Sequence, residues 1–289
     1  MRAEPKLEWL RCFVAVVDAG SLAGAAGDVH RSQSAVSMQL KKLEDAVGRR
    51  LLERGPHRLT LTPDGQTLLG YARRMLELHA EARAALQGKK DFVGQVRLGV
   101  PDDYAASYLT PVLRRFAARY GGVEIQLDCE QSTSLIPLVA RGELDLALVS
   151  RDNARRGTLL FHEPMVWVGS PQFELWRRDP LPIAVYEEAS LARRGAIESL
   201  AQQGRRFRVV YNSSSLAGQI AAVESGLAVA VLTQCSAPRE LQVLGADQGL
   251  GPLAPMEVAV YRSRESRASK AADLLHELLV KTLRQTVTT

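Results

Sequence analysis

Apolar positions near the start of the chain recur at helical spacing. Leu7, Leu10, Phe13, Val14 and Val17 form one face of an amphipathic helix. Asp18-Ala19-Gly20 ends it, and Ser21 is placed as the N-cap of a second, short helix with Leu22, Ala25, Ala26 and Val29 on one face. The small pair Ala25-Ala26 lets another helix approach closely. Arg31 or Ser32 opens a third helix, from Ser32 to about Val47. Its inward row is Val36, Leu40, Leu43 and Val47. Ser34, Ser37, Met38 and Lys41 lie opposite, and Gln33 is at the exposed N-terminal flank. After Gly48 come Arg49-Arg50-Leu51-Leu52-Glu53-Arg54 and then Gly55-Pro56-His57-Arg58-Leu59-Thr60-Leu61-Thr62, where the Gly-Pro turn sits between two short strand-like pieces and reads as a β-wing. Thr62-Pro63-Asp64 then starts a long helix. Its seam runs through Leu68, Ala72, Met75, His79, Ala82 and Leu86, widened by Leu69 and Leu76. Such a helix beside a small domain suits dimerisation, although a helix packed on its own chain shows the same stripe. Gly88-Lys89-Lys90 ends it as a polar linker.

From Val93 strands and helices alternate. Val96–Val100 reads as a strand, and Pro101-Asp102-Asp103 opens a helical region reaching Arg119. Val123–Glu130 is a strand, Ser132-Thr133-Ser134 caps a helix ending near Gly142, and Leu144–Val149 is a buried strand. This βαβαβ order predicts a parallel sheet covered by helices. A second half follows, with strands at Met165–Gly169, Pro182–Tyr186, Phe207–Tyr211, Gly226–Leu232 and Glu257–Tyr261. Its helices are Glu188–Gln203, Ser214–Ser225 and Ser266 to Arg284, the last with the apolar row Ala268, Ala271, Ala272, Leu274, Leu275, Leu278 and Leu279. The fold class is therefore a mostly α winged helix-turn-helix with a linker helix, followed by an α/β domain.

Charge is unevenly distributed. Residues 1–90 hold 15 Lys and Arg against 10 Asp and Glu, whereas the other 199 residues are balanced at 22 each. Between Val29 and Arg58 there are seven basic residues and three acidic ones. A local basic excess beside a neutral bulk points to a polyanion partner for that segment, and a solvated basic face is the plainer alternative. The start of the chain lacks a signal peptide's apolar core, and no run of eighteen apolar residues occurs, so a cytoplasmic protein is expected. Cys12, Cys129 and Cys235 form no CxxC pair and no zinc spacing. They read as buried inert thiols, with a redox sensor as the alternative, and neither a metal nor a cofactor is expected.

The third helix carries the DNA-reading chemistry of a helix-turn-helix, whose recognition helix reaches base edges from its N-terminal residues. Gln33 can bond bidentately to adenine, Ser34 and Ser37 to bases or phosphates, and Lys41 and Lys42 to phosphates. Arg54, His57 and Arg58 fall at the wing, where backbone or minor groove would be met. A plain three-helix bundle with a solvated polar face would share this pattern.

In the α/β part, ligands bind beyond the carboxyl ends of parallel strands. The candidates there are Pro101, Asp102, Asp103 and Tyr104; Ser132, Thr133 and Ser134; Ser150 and Arg151; and Asn212, Ser213, Ser214 and Ser215. Hydroxyls at helix N-termini suit a carboxylate or phosphate. The acidic pair Asp102-Asp103 favours a cationic or polyhydroxylated ligand instead. Ordinary helix capping explains any one of these residues equally well.

The segment Phe13…Gly20-Ser21…Ala25-Ala26…Ser32-Gln33-Ser34-Ala35-Val36-Ser37…Leu43-Glu44…Gly48…Leu51-Leu52…Arg54…Leu61-Thr62…Gly65 resembles the LysR-type DNA-binding domain along its full length. Departures are mild: Leu52 stands where Phe is common, Val29 where Leu is usual, and Asp64-Gly65 for Glu/Ala-Gly. Arg31–Ser37 with Gly70-Tyr71-Ala72-Arg73 is similar to a subgroup of motility and virulence repressors. Arg97-Leu98-Gly99, Gly142-Glu143-Leu144-Asp145-Leu146-Ala147-Leu148 and Gly226-Leu227-Ala228-Val229-Ala230-Val231-Leu232 resemble the LysR effector domain, which is related to periplasmic binding proteins. The resemblance implies a DNA-binding domain over 1–64, a linker helix over 65–90 and an effector domain over 91–289. In the last, 94–163 with 236–289 forms one subdomain and 164–235 the other. It implies Ser21, Arg31 and Ser32 as further DNA contacts, a promoter as partner, a small-molecule effector, a homodimer or homotetramer, and RNA polymerase as an open partner. No GxSxG, P-loop or HExxH occurs, so an enzyme is not expected. A transport-type solute-binding protein and an architectural DNA-binding protein with a degenerate sensor are the other readings.

Overall fold

The computed structural model describes residues 4–54, 59–86 and 94–286. The N-terminal part comprises α1 (Leu7–Ala19), α2 (Leu22–Asp28), α3 (Gln33–Val47), β1 (Leu52–Arg54), β2 (Leu59–Leu61) and α4 (Pro63–Leu86). α1 stops at Gly20, whose left-handed backbone lets its N–H reach Val17 O. Ser21 caps α2 by accepting the Gly24 N–H, and Ser32 caps α3 by accepting the Ala35 N–H. Leu10, Phe13, Val16, Ala25, Val36, Leu40 and Leu43 form the core, with Leu51 and Leu52 of the wing. The inward row of α3 closes on Ala46, and Val47 is only half-buried. The i+3 continuation from Leu43 wins over the i+4 one.

Two polar anchors fix the wing. Glu44 Oε1 accepts the Leu51 N–H at 2.8 Å, and Thr62 Oγ1 donates to Arg50 O at 2.7 Å. Thr62 also accepts the Gly65 N–H at 2.9 Å. A Cβ on Gly65 would lie 2.0 Å from Leu51 O, so only glycine lets α4 pass the wing this closely. Leu69 and Ala72 then sink into the N-terminal core. The start of the linker helix, past the boundary expected at 64/65, is thus part of that domain's packing. This also displaces the expected seam, because Leu68 and Ala72 are used by their own chain. The stripe left exposed is Tyr71, Met75, Leu78 and Leu86, the last 88% exposed.

The rest of the chain forms two five-stranded sheets. The first has the order β4-β3-β5-β12-β6, from β3 (Gly94–Gly99), β4 (Val123–Asp128), β5 (Leu146–Ser150), β6 (Thr158–Glu163) and β12 (Met256–Arg262). β3 runs parallel to β4 and β5, and β12 is antiparallel to its neighbours. Its helical segments are α5 (Asp102–Tyr104), a π turn over Ala105–Leu109, α6 (Thr110–Arg119), α7 (Ser132–Ala140) and α10 (Lys270–Thr286). Alternation along β5 sorts them: Leu146 and Leu148 face Phe116 of α6 and Leu275 of α10, while Ala147 and Val149 face Leu135 and Val139 of α7. Ala268 lies in a 3-10 turn before α10 and is exposed, which removes it from the expected row; Leu283 is buried instead.

The second sheet has the order β11-β7-β10-β8-β9, from β7 (Met165–Gly169), β8 (Leu181–Val185), β9 (Phe207–Asn212), β10 (Val229–Thr233) and β11 (Gln242–Leu244), with helices α8 (Leu191–Gln202) and α9 (Leu216–Glu224). β10 starts later than expected because Gly226 takes a φ of 70° in a turn. β6 and β11 were not expected from the sequence. β11 pairs with β7 through Gln242↔Gly169. The chain therefore returns to the first sheet between Leu244 and Met256, and the expected subdomain boundary at 235/236 moves there.

A buried ion pair joins β3 to β5. Arg97 donates its N–H, Nε and Nη2 to Asp145 at 2.8, 3.2 and 2.8 Å, and Nη1 to Glu143 O. On the same side α4 meets the first subdomain. Gln66 donates to Arg141 O, and Arg73 donates to Gly142 O at 2.8 Å while pairing with Asp18. Glu265 fills the space between Gly70 and Gly142, where an added Cβ would lie 2.6 and 2.9 Å from it. No described helix is long and apolar enough to cross a membrane.

Candidate DNA-reading surface and effector cleft

The exposed side of α3 follows from its buried row. With Val36, Leu40 and Leu43 fully or nearly buried, Gln33, Ser34, Lys41 and Lys42 must face solvent, and they do; Ser37 is half-buried on the same side. The Ser32 cap fixes the first turn, and Ser32 Oγ lies 3.0 Å from Ser34 Oγ. Ser21 is exposed while its hydroxyl is occupied as the α2 cap. Arg31 is paired with Glu8, whose Oε1 also accepts from Gln39 at 3.5 Å. Its guanidinium is therefore held on the protein until a stronger anion competes for it. The turn before α3 places His30 in the left-handed region at φ 51°. Of the wing residues, Arg54 ends β1, and His57 and Arg58 lie outside the described residues.

Between the two sheets runs a cleft lined by Pro101, Asp103, Tyr104, Gln131, Ser132, Thr133, Ile136, Ser150, Asp152 and Met256 on one side. Tyr186, Glu187, Ala189, Ser190, Leu191, Ala192, Leu216 and Thr233 line the other. Six sequence candidates are brought together here: Pro101, Asp103, Tyr104, Ser132, Thr133 and Ser150. Ser150 organises them, its N–H donating to Ser132 Oγ at 2.9 Å and its hydroxyl lying 2.8 Å from the Tyr104 hydroxyl. Asp103 Oδ2 accepts from Thr233 Oγ1 at 2.9 Å. Burial pushes the Asp103 carboxyl above its usual range. Burial, reinforced by the Asp103 charge, also keeps the Tyr104 phenol protonated.

The remaining candidates are elsewhere. Asp102 and Ser134 are exposed outside the cleft. Arg151 turns away to Glu257 at 2.6 Å. Asn212 ends β9 in solvent, Ser213 accepts the Ser215 N–H, and Ser215 caps α9. Only the backbone of Ser214 approaches the lip, accepting from Gln131 Nε2 at 2.8 Å. A further contact crosses the cleft, Thr133 Oγ1 donating to Glu187 Oε1 at 2.8 Å. Sequence reasoning missed Asp152, Tyr186, Glu187 and Thr233. All lie at or just past the carboxyl ends of β5, β8 and β10, so the strand-end rule applied to every strand finds them. Met256 opens an antiparallel strand and had no such signal.

Residues 7–66 match the model of the bacterial regulatory helix-turn-helix protein, lysR family, and residues 89–284 match the LysR substrate binding domain. The chain is 37% identical over 261 residues to the HTH-type transcriptional regulator DgdR of Burkholderia cepacia, covering 90% of this chain and 88% of that one. Among solved structures it resembles full-length LysG of Corynebacterium glutamicum with bound effector Arg (TM-score 0.62, 23% identity, 96% and 99% of the two chains). It also resembles full-length CbnR complexed with its target DNA (TM-score 0.59, 19% identity, 96% and 99%). A reading domain and a sensing domain thus occur here in one order on one chain, and the protein belongs to the LysR family of transcriptional regulators.

Proposed function

We propose that Gln33, Ser34 and Ser37 read base edges in the major groove, and that Ser21, Arg31, Ser32, Lys41 and Lys42 hold phosphates beside them, with Arg54, His57 and Arg58 of the wing. The observation that carries this reading is the first turn of α3, a polar face presented on a buried row and fixed by the Ser32 cap. The bound DNA in the CbnR structure supports it. Two copies pair along Tyr71, Met75, Leu78 and Leu86 of α4, which sets two recognition helices about one DNA turn, roughly 34 Å, apart. Effector domains pair in turn to give a tetramer. The protein acts on promoter DNA in the cytoplasm and is a regulator with no catalytic turnover.

The effector occupies the cleft, as the bound Arg of LysG supports. α7 carries the signal. Its first turn lines the cleft, and the residues after its last turn, Arg141 and Gly142, are gripped by Gln66 and Arg73 of α4. A ligand that closes or opens the cleft moves α7 against the helix that spaces the two reading heads. Such coupling requires unequal ligand affinity in the two states.

A DNase footprint on the DNA upstream of the protein's own gene, with Gln33→Ala as control, tests this. A long, two-part protected region that the variant loses is expected. Salt-sensitive smearing on any DNA, the same for both proteins, would overturn sequence-specific reading.

A further inference from the structure

The cleft carries an unbalanced charge. Asp103, Asp152 and Glu187 line it, and no Lys, Arg or His does so among the described residues. Near Thr233 sits Glu163, only 3% exposed. Glu163 accepts from the Cys235 N–H at 2.9 Å and from the Tyr108 hydroxyl, neither of them a cation. Asp103 is held by the Thr233 hydroxyl and the Tyr104 N–H, both neutral donors. The cations near this set do not line the cleft: Arg156 lies 3.7 Å from Asp152 on the exposed rim, and Arg193 donates to Tyr186 O at 3.2 Å. Asp152 is exposed, but Asp103 and Glu163 are withdrawn from water without a cation, which is unfavourable and pulls positive charge in.

Glu187 supplies an independent observation. Its Oε1 takes the Thr133 hydroxyl across the cleft, but its Oε2 is shielded from solvent and has no hydrogen-bond partner. A dry carboxylate oxygen at a ligand site is an acceptor waiting for a donor. Ile136, Leu216 and Met256 add an apolar wall beside it, enough for a short carbon skeleton.

Resting on the reading of this cleft as the effector site, we infer that the effector carries an ammonium or guanidinium group, bound by Glu187 and balanced by Asp103 and Asp152. A purely anionic effector would meet the Asp103 and Glu187 carboxylates with no cation in the cleft lining to offset them. The charged group is the part that discriminates, because a charge-assisted hydrogen bond to a buried carboxylate is about twice as strong as a neutral one.

The test uses the full-length protein and four probes, L-arginine, cadaverine, glutarate and glucose, read as shifts in melting temperature. Arginine or cadaverine should raise it, and the shift should vanish in both Glu187→Gln and the plugged Ile136→Trp. A shift by glutarate or glucose that Ile136→Trp abolishes would leave the cleft as effector site and overturn its cation preference. An arginine or cadaverine shift that survives Ile136→Trp would place the ligand elsewhere and overturn both readings. If none of the four probes acts, a tethered charge decides. Ile136→Lys should melt at or above Ile136→Met, with Ile136→Glu several degrees lower, a gap that narrows in the Glu187→Gln background. Ile136→Glu melting at or above Ile136→Lys would overturn the inference.

Discussion

The two recognition regions are built in opposite ways. The proposed DNA-reading face takes Arg31, Ser32, Gln33, Ser34 and Ser37 from seven consecutive residues, at the start of one helix whose other side is buried. The cleft gathers Asp103, Ser132, Ser150, Glu187 and Thr233 from five segments on two sheets. The first is local in sequence, so single residues act nearly alone. The second exists only while two sheets stay in register, so its residues depend on the scaffold behind them.

The largest effect should come from breaking that scaffold. Asp145→Ala leaves Arg97 buried beside an empty site and should cost about 3–5 kcal/mol of stability. Urea unfolding followed by hydrogen exchange should show protection lost across 94–286 and largely kept in the core of α1 and α3. Equal loss in both regions would mean that they do not differ in this way. Next, Leu78→Asp puts a charge into the exposed stripe of α4 on both copies of a pair, and each fully buried Leu contributes about 1.5–3 kcal/mol. Sedimentation should show the dimer giving way to monomer at micromolar concentration, while the α3 face stays folded.

Gln33→Ala should weaken specific DNA binding by about 1–3 kcal/mol and leave non-specific binding intact. Lys41→Ala should instead weaken binding to all sequences and lower the salt slope by about one unit. Titrations at several salt concentrations separate the two, and identical behaviour would undo the division into base and phosphate contacts. The smallest effect concerns the turn that sets α3. His30→Gly relieves a left-handed residue and should raise stability by about 1 kcal/mol, seen as a higher melting temperature of the N-terminal domain.

Legibility in the sequence follows the same division. Most of the α3 row, Leu10 and Phe13 of the α1 row, the Ser21 cap and the Thr62-Pro63 helix start were readable because each depends on residues within a few positions. So was β5, a run of five buried residues. Periodicity cannot say which part of the α4 stripe its own domain takes, and Leu68, Leu69 and Ala72 of the expected seam pack into that domain. β11 was missed because three residues on a sheet edge carry little pattern, and the subdomain boundary was misplaced with it. In the cleft, helix-start hydroxyls were found. Glu187 and Thr233 were not, since their roles depend on which strands lie side by side. In the Ser213–Ser215 cluster the Ser213 and Ser215 hydroxyls are used by the cap of α9.

The claim that joins both regions is that α7 connects the cleft to α4. The most direct measurement is a DNase footprint comparison of the wild type, Ile136→Trp, Gln66→Ala/Arg73→Ala and the triple variant on the same operator. Filling the cleft from α7 should change the length or spacing of the protected region in the wild-type background, and the change should disappear once Gln66 and Arg73 no longer hold Arg141 and Gly142. An Ile136→Trp footprint identical to the wild type, or a change that persists in the triple variant, would contradict the account.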